Sequence, residues 1–264
     1  MFKNILTMTF IALLPSGNIY AALIGQYDLD GNGFDNISSS EAPSTDITGA
    51  ADRFGNLNGA VSLNGSTSII NPFDVGINDA SKDYSLSIWF KQNTSAYGGL
   101  ISNNTPAGPT NGWSTIARID SDNRLLFLAG AAQNAGAEKS INSVNTATVG
   151  EWNHAAFVYD KNGSTSTLSI YLNGDLEAST SSNIAGNPRE DWLLGAQYGA
   201  GLDPIIYLDG LLDDFRIYDT ALTAAEVSAM VSPVPIPAAL WLFGTGILGL
   251  IGFSKRKAAM FKAV

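Results

Sequence analysis

The stretch Tyr84-Ser85-Leu86-Ser87-Ile88-Trp89-Phe90 decides the class of fold. Its large apolar residues occupy every second position, which is the period of a β-strand with one strongly buried face. Outward from it, similar short apolar stretches recur at 60–63, 67–70, 114–119, 124–129, 152–159, 167–172, 192–194 and 211–218. Asn-Gly pairs at 64–65, 162–163 and 173–174 supply the positive backbone angles of tight turns. The pattern therefore predicts strands that pair antiparallel with their neighbours in the chain.

A single helix is predicted, near the end of this region. Thr223 can cap it, and Glu226, three residues later, can return the bond of a capping box. Many short strands without alternating helices argue against a parallel α/β sheet. We predict an all-β domain over residues 22–232, a two-sheet antiparallel jelly-roll sandwich about twice as long as an immunoglobulin module.

Charge and cysteine content exclude several classes of function. All 24 acidic residues of the 264-residue chain lie between Asp28 and Glu226, where only nine basic residues occur, so this region carries a net charge of −15. Such a surface repels phosphate backbones, and no nucleic acid partner is expected. The chain has no cysteine, which excludes disulfides and thiolate metal sites.

The N-terminal segment is typical of an export signal. Lys3 precedes an apolar run at 5–14, then breakers at 15–17, then small residues at 21–22. This order predicts a signal peptide over residues 1–21 and an exported protein.

The C-terminal segment, 233–264, combines three features in order. Val234-Pro235-Ile236-Pro237-Ala238-Ala239 opens it, the stretch 236–253 carries no charge, and Ser254-Lys255-Arg256-Lys257 follows. The uncharged stretch has roughly the 18 residues at which an apolar segment becomes a candidate membrane helix, with the basic tail in the cytoplasm.

This order resembles the PEP-CTERM sorting signal of Gram-negative bacteria, in the variant that begins Val-Pro-Leu-Pro-Ala. The resemblance implies processing by an exosortase, with an inner-membrane-anchored precursor that is later attached at the cell surface or released. Ile236 replaces the usual leucine, and a tail at 258–264 runs past the basic cluster. A plain single-pass anchor is the alternative.

Five blocks in the central region resemble the LamG-like jelly-roll family, within the concanavalin A-like lectin/glucanase fold. They are the stretches at 30–35 with 52–65, at 84–90, at 151–160, at 170–174 and from 209 onward. Asn153 stands where the family usually has a second histidine. The resemblance implies that the N-terminal loop lies beside the start of the last strand, often with calcium near both.

Calcium takes six to eight hard oxygen ligands, and an acidic, glycine-punctuated loop can supply them. The expected ligands are Asp30, Asn32 and Asp35, with Asp213 or Asp214 from the last strand. Alternation sends Asp213 and Asp214 to opposite faces, with Asp213 on the face of Phe215 and Ile217. Asp214 is therefore the better expected ligand. The alternative is a simple turn at 30–33, with Asp214 paired to Arg216.

The sequence argues against an enzyme. His154 is the single histidine, on the strand face of Trp152, Ala156 and Val158, and we expect it to be packed. The six glutamates never fall within three residues of one another, so the paired carboxylates of a glycosidase strand motif are missing. Trp113, at a loop edge, is the expected sugar-stacking residue, and 130–150 a variable loop rim.

These observations predict a lectin-like binding module at the cell surface or in the extracellular matrix. Its expected ligand is a glycan or a protein, with calcium as a candidate ion. A structural matrix component without a specific ligand is the first alternative, and a glycan-active hydrolase the second.

Overall fold

A computed structural model of the chain describes residues 22–37, 40–41, 47–67, 69–70, 82–103, 115–130, 138–183, 192–198 and 204–232. The elements in this part of the chain are β1 (Leu23–Tyr27), β2 (Phe34–Asp35), β3 (Ser40–Glu41), β4 (Thr48–Ala50), β5 (Ala60–Asn64), β6 (Ile69–Ile70), β7 (Tyr84–Gln92), β8 (Gly98–Asn103), β9 (Thr115–Ile119), β10 (Arg124–Gly130), β11 (Glu138–Thr146), β12 (Asn153–Asn162), β13 (Thr165–Leu172), β14 (Asp175–Ser182), β15 (Trp192–Leu194), β16 (Ala196–Tyr198), β17 (Pro204–Tyr207), β18 (Asp209–Tyr218) and α1 (Ala224–Val231).

Two large antiparallel sheets form a sandwich. The larger runs in the order β14-β13-β12-β7-β18-β1-β2-β3, and β5 adds to β18 with β4 beside it. The smaller runs β11-β10-β9-β8-β15-β6, and β16 and β17 form a separate ribbon. This arrangement confirms the predicted all-β sandwich. The last strand of the described residues, β18, lies in the middle of the larger sheet.

The core between the sheets follows from the alternation in β7. Tyr84, Leu86, Ile88 and Phe90 are fully buried and belong to a core cluster that includes residues of both sheets. Phe127 of the smaller sheet and Phe157 of the larger one meet in this layer, with ring centroids 5.5 Å apart.

The outer face of the larger sheet is partly covered by α1. The helix begins as predicted: the Thr223 backbone N–H donates to Glu226 Oε2 at 2.8 Å, and the Glu226 N–H donates to Thr223 Oγ1 at 3.3 Å. Val227 of α1 is buried against Ala156, Val158 and Tyr218. The part of the outer face that α1 does not cover carries polar and aromatic residues.

The sequence pattern predicted no strand at β1, β8, β11 or β14, and it also missed shorter strands such as β2, β3, β4 and β16. The stretch expected as a loop rim at 130–150 contains β11 instead, which pairs with β10 over most of its length. Polar residues dominate β11, with Ile141 packed on the core and Ser143 buried. An edge strand of this composition has no apolar alternation by which to recognise it.

The two expected targeting segments, 1–21 and 233–264, lie outside the described residues, and so does the expected membrane helix 236–253. Among the residues that are described, none belongs to a helix long and apolar enough to cross a membrane.

Candidate functional site

A β-bulge in the last strand builds the first candidate site. Leu212 pairs with Phe90 and Asp213 with Trp89, but the next partner pair is Arg216 with Ser87. Asp214 has a positive φ of 48°, so the strand holds one extra residue at this point. Leu212 and Phe215 both enter the core on either side of it.

The bulge overturns the expectation that Asp213 and Asp214 point to opposite faces. Alternation fails where an extra residue interrupts the pleat. Asp213 shares the outer face with Trp89, not the core face with Phe215. Both carboxylates are consequently within reach of one cation, Arg53.

Arg53 clamps the two aspartates together. Its Nη1 lies 2.5 Å from Asp213 Oδ2 and its Nη2 lies 2.5 Å from Asp214 Oδ2. The guanidinium also lies over two rings, 4.7 Å from the centroid of Trp89 and 4.5 Å from that of Phe54. Arg216 adds a longer bond of 3.3 Å to Asp214 Oδ1. We call Arg53, Asp213 and Asp214 the arginine clamp.

The loop that presents Arg53 is closed by Asp52. Asp52 Oδ1 accepts the backbone N–H groups of Phe54 and Asn56, each at 2.8 Å, and Oδ2 accepts the Asn56 amide at 2.8 Å. Burial acts to raise the pKa of Asp52, but these hydrogen bonds outweigh it and lower the pKa. Sequence patterns give Arg53 no role, because Asp213 and Asp214 lie 160 and 161 residues further along the chain.

The N-terminal loop lies beside the clamp, as the resemblance implied. The Asp214 N–H donates to the Asp28 carbonyl at 3.4 Å. Burial raises the pKa of Asp30, and the charges of Asp28, Asp214 and Asp52 raise it further. Asp30 therefore lies within electrostatic range of three other carboxylates, those of Asp28, Asp52 and Asp214.

The expected calcium ligands are only partly assembled. The Asn32 amide donates to the Asp30 carbonyl at 3.2 Å, and the side chain of Asp35 lies outside the described part. Asp213 and Asp214 are occupied by Arg53. Among the residues whose side chains are described, no three acidic or histidine side chains are grouped so as to hold a metal ion. Calcium at this edge stays a prediction.

Burial dominates the protonation of the groups around Trp89. It raises the pKa of Asp213 to about 7; the charge of Asp214 adds to this effect and Arg53 opposes it. It lowers the pKa of His154 to about 3, helped by the charges of Arg216 and Arg53. His154 packs on Trp89 with ring centroids 5.2 Å apart, and its Nε2 lies 3.3 Å from Ser87 Oγ. The histidine is thus a neutral, packed residue, as expected.

A second candidate site is a recess at one end of the sandwich, where the chain passes from β7 in the larger sheet to β8 in the smaller. Its volume is about 200 Å³. The described residues that line it are Gly65, Gln92, Thr94, Ala96, Tyr97, Gly98, Tyr207, Leu208 and Asp209. We call this site the β7–β8 recess.

Backbone contacts fix the two walls of the β7–β8 recess. The Asn93 N–H donates to the Asp209 carbonyl at 2.9 Å, and the Asn93 amide donates to Asp209 Oδ1 at 2.8 Å. Gly210 has no room for a side chain, because a Cβ there would collide with the Lys91 carbonyl oxygen. The start of β18 is held directly against the end of β7.

The recess presents one aromatic side chain prominently. Tyr97 is 50 % exposed, and the Arg118 guanidinium lies over its ring, 5.5 Å from the centroid. Arg118 Nε donates a hydrogen bond to Asp120 Oδ1 at 2.7 Å, and its Nη1 donates one to Gln197 Oε1 at 3.2 Å. Tyr97 was not among the predicted site residues, although its position between a polar turn and two glycines is a signal for an exposed aromatic side chain.

Trp113, the expected sugar-stacking residue, lies outside the described residues. The strand ends that flank it, Asn103 and Thr115, pair with each other at one end of the smaller sheet. Gly98 pairs with Ile119 at the opposite end of these strands, next to the β7–β8 recess. The recess therefore lies at the other end of β8 from Asn103.

Among the solved structures that share this architecture are a domain of an arabinanase, a module of a sialidase and the binding domain of a neurotoxin. Domain 4 of AbnA, a GH43 extracellular arabinanase from Geobacillus stearothermophilus, in complex with arabinotriose, is 21% identical, with a TM-score of 0.57 over 80% of this chain and 99% of that one. The CBM40 of the Ruminococcus gnavus IT-sialidase, bound to α2,3-sialyllactose, is 14% identical, with a TM-score of 0.55 over 66% and 96%. The binding domain of botulinum neurotoxin serotype G is 18% identical, with a TM-score of 0.57 over 80% and 50%.

At these identities the structural likeness shows the fold alone. No curated protein sequence matches the chain significantly. Residues 58–228 match the family described as the concanavalin A-like lectin/glucanases superfamily, laminin G type 3. This match covers more than half of the chain and contains β5 to β18 with most of α1. The chain belongs to the concanavalin A-like lectin/glucanase superfamily.

Proposed function

We propose that the protein is an exported, lectin-like module that binds a glycan at the cell surface or in the extracellular matrix. The observation that carries the proposal is the β7–β8 recess, in which half-exposed Tyr97 lies beside polar groups of Gln92 and Asp209. Sugar sites commonly combine an aromatic surface with a few placed polar groups. The arabinotriose and sialyllactose complexes support the proposal, because they join this fold to glycan ligands.

A non-catalytic role agrees with the described carboxylates. Asp213 and Asp214 are held by Arg53 and are not free to act as an acid and a nucleophile. Glu177 accepts two bonds from Asn145, and Glu226 caps α1. These contacts favour binding over hydrolysis.

A glycan array tests the proposal. The full chain, purified in a mild detergent, should bind at least one class of glycan above background. A Tyr97→Ala variant with an unchanged melting temperature should lose that signal, and Leu176→Ala, which removes another exposed apolar side chain at β14, should keep it. If the unaltered chain binds no glycan, the structural matrix component becomes the better proposal.

Export and surface sorting remain part of this proposal. They rest on the order of features at 1–21 and 233–264, and the extracellular arabinanase supports them by sharing the fold. The mature protein should begin at residue 22 and lack the basic cluster at 255–257 after exosortase processing. Mass spectrometry of protein recovered from the cell surface identifies both ends of the mature chain. An intact C-terminus would indicate a plain membrane anchor.

We also propose that calcium binds beside the arginine clamp through Asp30, Asn32, Asp35 and Asp214, whose Oδ1 would exchange its 3.3 Å bond to Arg216 for the ion. Asp30 lies close enough to Asp28, Asp214 and Asp52 for their charges to add to the effect of burial in raising its pKa, and this grouping of acids supports a cation beside them. Calcium at 100 times its dissociation constant would stabilise the fold by about 2.7 kcal/mol. The melting temperature should then rise by about 5–10 °C.

Differential scanning calorimetry with calcium, magnesium or a chelator measures this rise. Asp30→Asn should abolish most of it, whereas Asp175→Asn, which removes an exposed acid at the start of β14, should not. Equal melting temperatures in calcium and in chelator would contradict the metal proposal. That result would leave the glycan proposal untouched.

A further inference from the structure

The polar groups of the β7–β8 recess are biased toward hydrogen-bond acceptors. Among the nine described residues that line it, none is basic, and Asp209 carries a negative charge. Arg118, the cation over Tyr97, is engaged by Asp120 and Gln197. A ligand that enters the recess therefore meets oxygen atoms that need donors, and an anionic ligand meets a like charge without a partner cation.

Gln92 supplies an acceptor with no donor. Its residue is 2 % exposed, and its Nε2 donates to the Asn123 side-chain oxygen at 2.6 Å and to the Thr94 carbonyl at 3.2 Å. These two acceptors fix the orientation of the amide. The Oε1 atom is buried and has no hydrogen-bond partner. A buried carbonyl oxygen without a donor lowers stability, so a ligand hydroxyl group that reached Oε1 through a small shift of the recess lining would gain a bond at little desolvation cost.

Asp209 supplies the second acceptor. Its Oδ1 accepts the Asn93 amide at 2.8 Å, which holds the carboxylate in place. Within the described residues, Oδ2 has no partner. A fixed carboxylate with one unused oxygen accepts strong bonds from hydroxyl groups and repels carboxylates and sulfates.

The size of the recess limits how much of a glycan can enter. Its volume of about 200 Å³ is below the range of about 300–1,000 Å³ for sites that enclose drug-sized ligands. One sugar ring fits this volume better than a chain of rings does. Tyr97, half exposed at the edge, and Tyr207, half buried in the lining, offer flat apolar surface to such a ring.

We infer that the β7–β8 recess takes the terminal ring of a neutral sugar, whose hydroxyl groups donate to Asp209 and Gln92 while the ring lies against Tyr97, and that acidic sugars are refused. This inference rests on the proposed function and specifies its ligand. Gln92 and Asp209 are the specificity-determining residues, and Tyr97 is the main apolar contact.

Ligand-observed NMR titrations of the full chain in mild detergent test the inference. The probes are methyl glycosides of glucose, galactose, mannose and arabinose, together with glucuronic acid, galacturonic acid, sialyllactose and glucosamine. At least one neutral glycoside should bind, at least tenfold more tightly than any acidic probe. Asp209→Asn and Tyr97→Ala should each weaken that binding at least tenfold. Asp209→Asn should also reduce the ratio between the affinity for the neutral glycoside and the affinity for the acidic sugars.

Two control variants separate specific from general effects. Asp175→Asn removes the same charge from an exposed position at the start of β14, and Leu176→Ala removes an exposed apolar side chain from β14; both variants should bind like the unaltered chain. Preference for an acidic probe or for glucosamine would overturn the inference and leave the proposed function standing. Neutral binding that Asp209→Asn and Tyr97→Ala leave unchanged would also overturn it, by placing the ligand elsewhere. Binding of no probe, together with an empty glycan array, would overturn the proposed function as well.

Discussion

Replacing Arg53 with alanine should destabilise the folded chain by about 3–5 kcal/mol at pH 8. The change leaves Asp213, whose side chain is 5% exposed, buried next to Asp214 without its cation. The loss of a buried partner is costly because the remaining charge is neither solvated nor paired. Urea unfolding in the presence of a chelator, which keeps calcium out of the measurement, gives the free energy of unfolding.

The loss should be smaller at acid pH. The pKa of Asp213 is raised by burial to about 7, well above the value of about 3.9 in an unfolded chain. The stability linked to this group is therefore fully present below about pH 4 and is lost as the pH rises to about 7. Without Arg53 the folded pKa rises further, so the variant suffers more at pH 8 than at pH 5, where Asp213 can hold a proton.

Arg124→Ala is the matched control for this experiment. Arg124 pairs with Asp122 at 3.5 Å, and both side chains are about half exposed. Exposed pairs of this kind contribute about 0–1 kcal/mol. If Arg53→Ala lowered the free energy of unfolding as little as Arg124→Ala does, at both pH values, the clamp would not stabilise the bulge.

Gly99→Ala should destabilise the fold by about 3 kcal/mol. A Cβ at this position would collide with the carbonyl carbon of Ala196 and the backbone nitrogen of Gln197, and would lie 2.6 Å from Ala196 Cα. All three atoms belong to the backbone, so no side chain can rotate away. The Ser102 hydroxyl, which donates to the Ala196 carbonyl at 3.0 Å, holds the same two segments together.

Gly163→Ala separates this clash from the general effect of losing a glycine. Gly163 has a positive φ of 61°, and a Cβ added at this position would have no heavy atom within 4 Å. Its substitution should cost about 1 kcal/mol or slightly more, from the backbone angle alone. Chemical denaturation of both variants gives the comparison. Equal losses would mean that β8 and β16 can separate at no cost.

The regular parts of the fold were predictable from sequence, because local rules govern them. The alternation in β7, the Asn-Gly turn at Asn173-Gly174 and the capping box of Thr223 and Glu226 all have the predicted structure. Each depends on residues within a few positions of one another. Proximity of the N-terminal loop to the last strand was also expected, and the bond from Asp214 to Asp28 confirms it.

The candidate sites were harder to predict, because each departs from a local rule. Asp214 adopts a left-handed angle that few non-glycine residues take, and the resulting bulge reverses the facing of Asp213. The β7–β8 recess joins Gln92 and Tyr97 to Asp209, more than a hundred residues later. No spacing in the sequence indicates such a meeting, since it depends on how two sheets are connected.

The central position of β18 has a consequence for when the domain can fold. The strand pairs with β7, β5 and β1, so contacts of very long sequence separation hold the middle of the larger sheet. Synthesis proceeds from the N-terminus, so these pairings cannot form until residue 218 has been made. Contact order this high slows folding and delays it until synthesis of the domain is complete. The larger sheet of an unfinished chain therefore stays open at its middle until residue 218 has been synthesised.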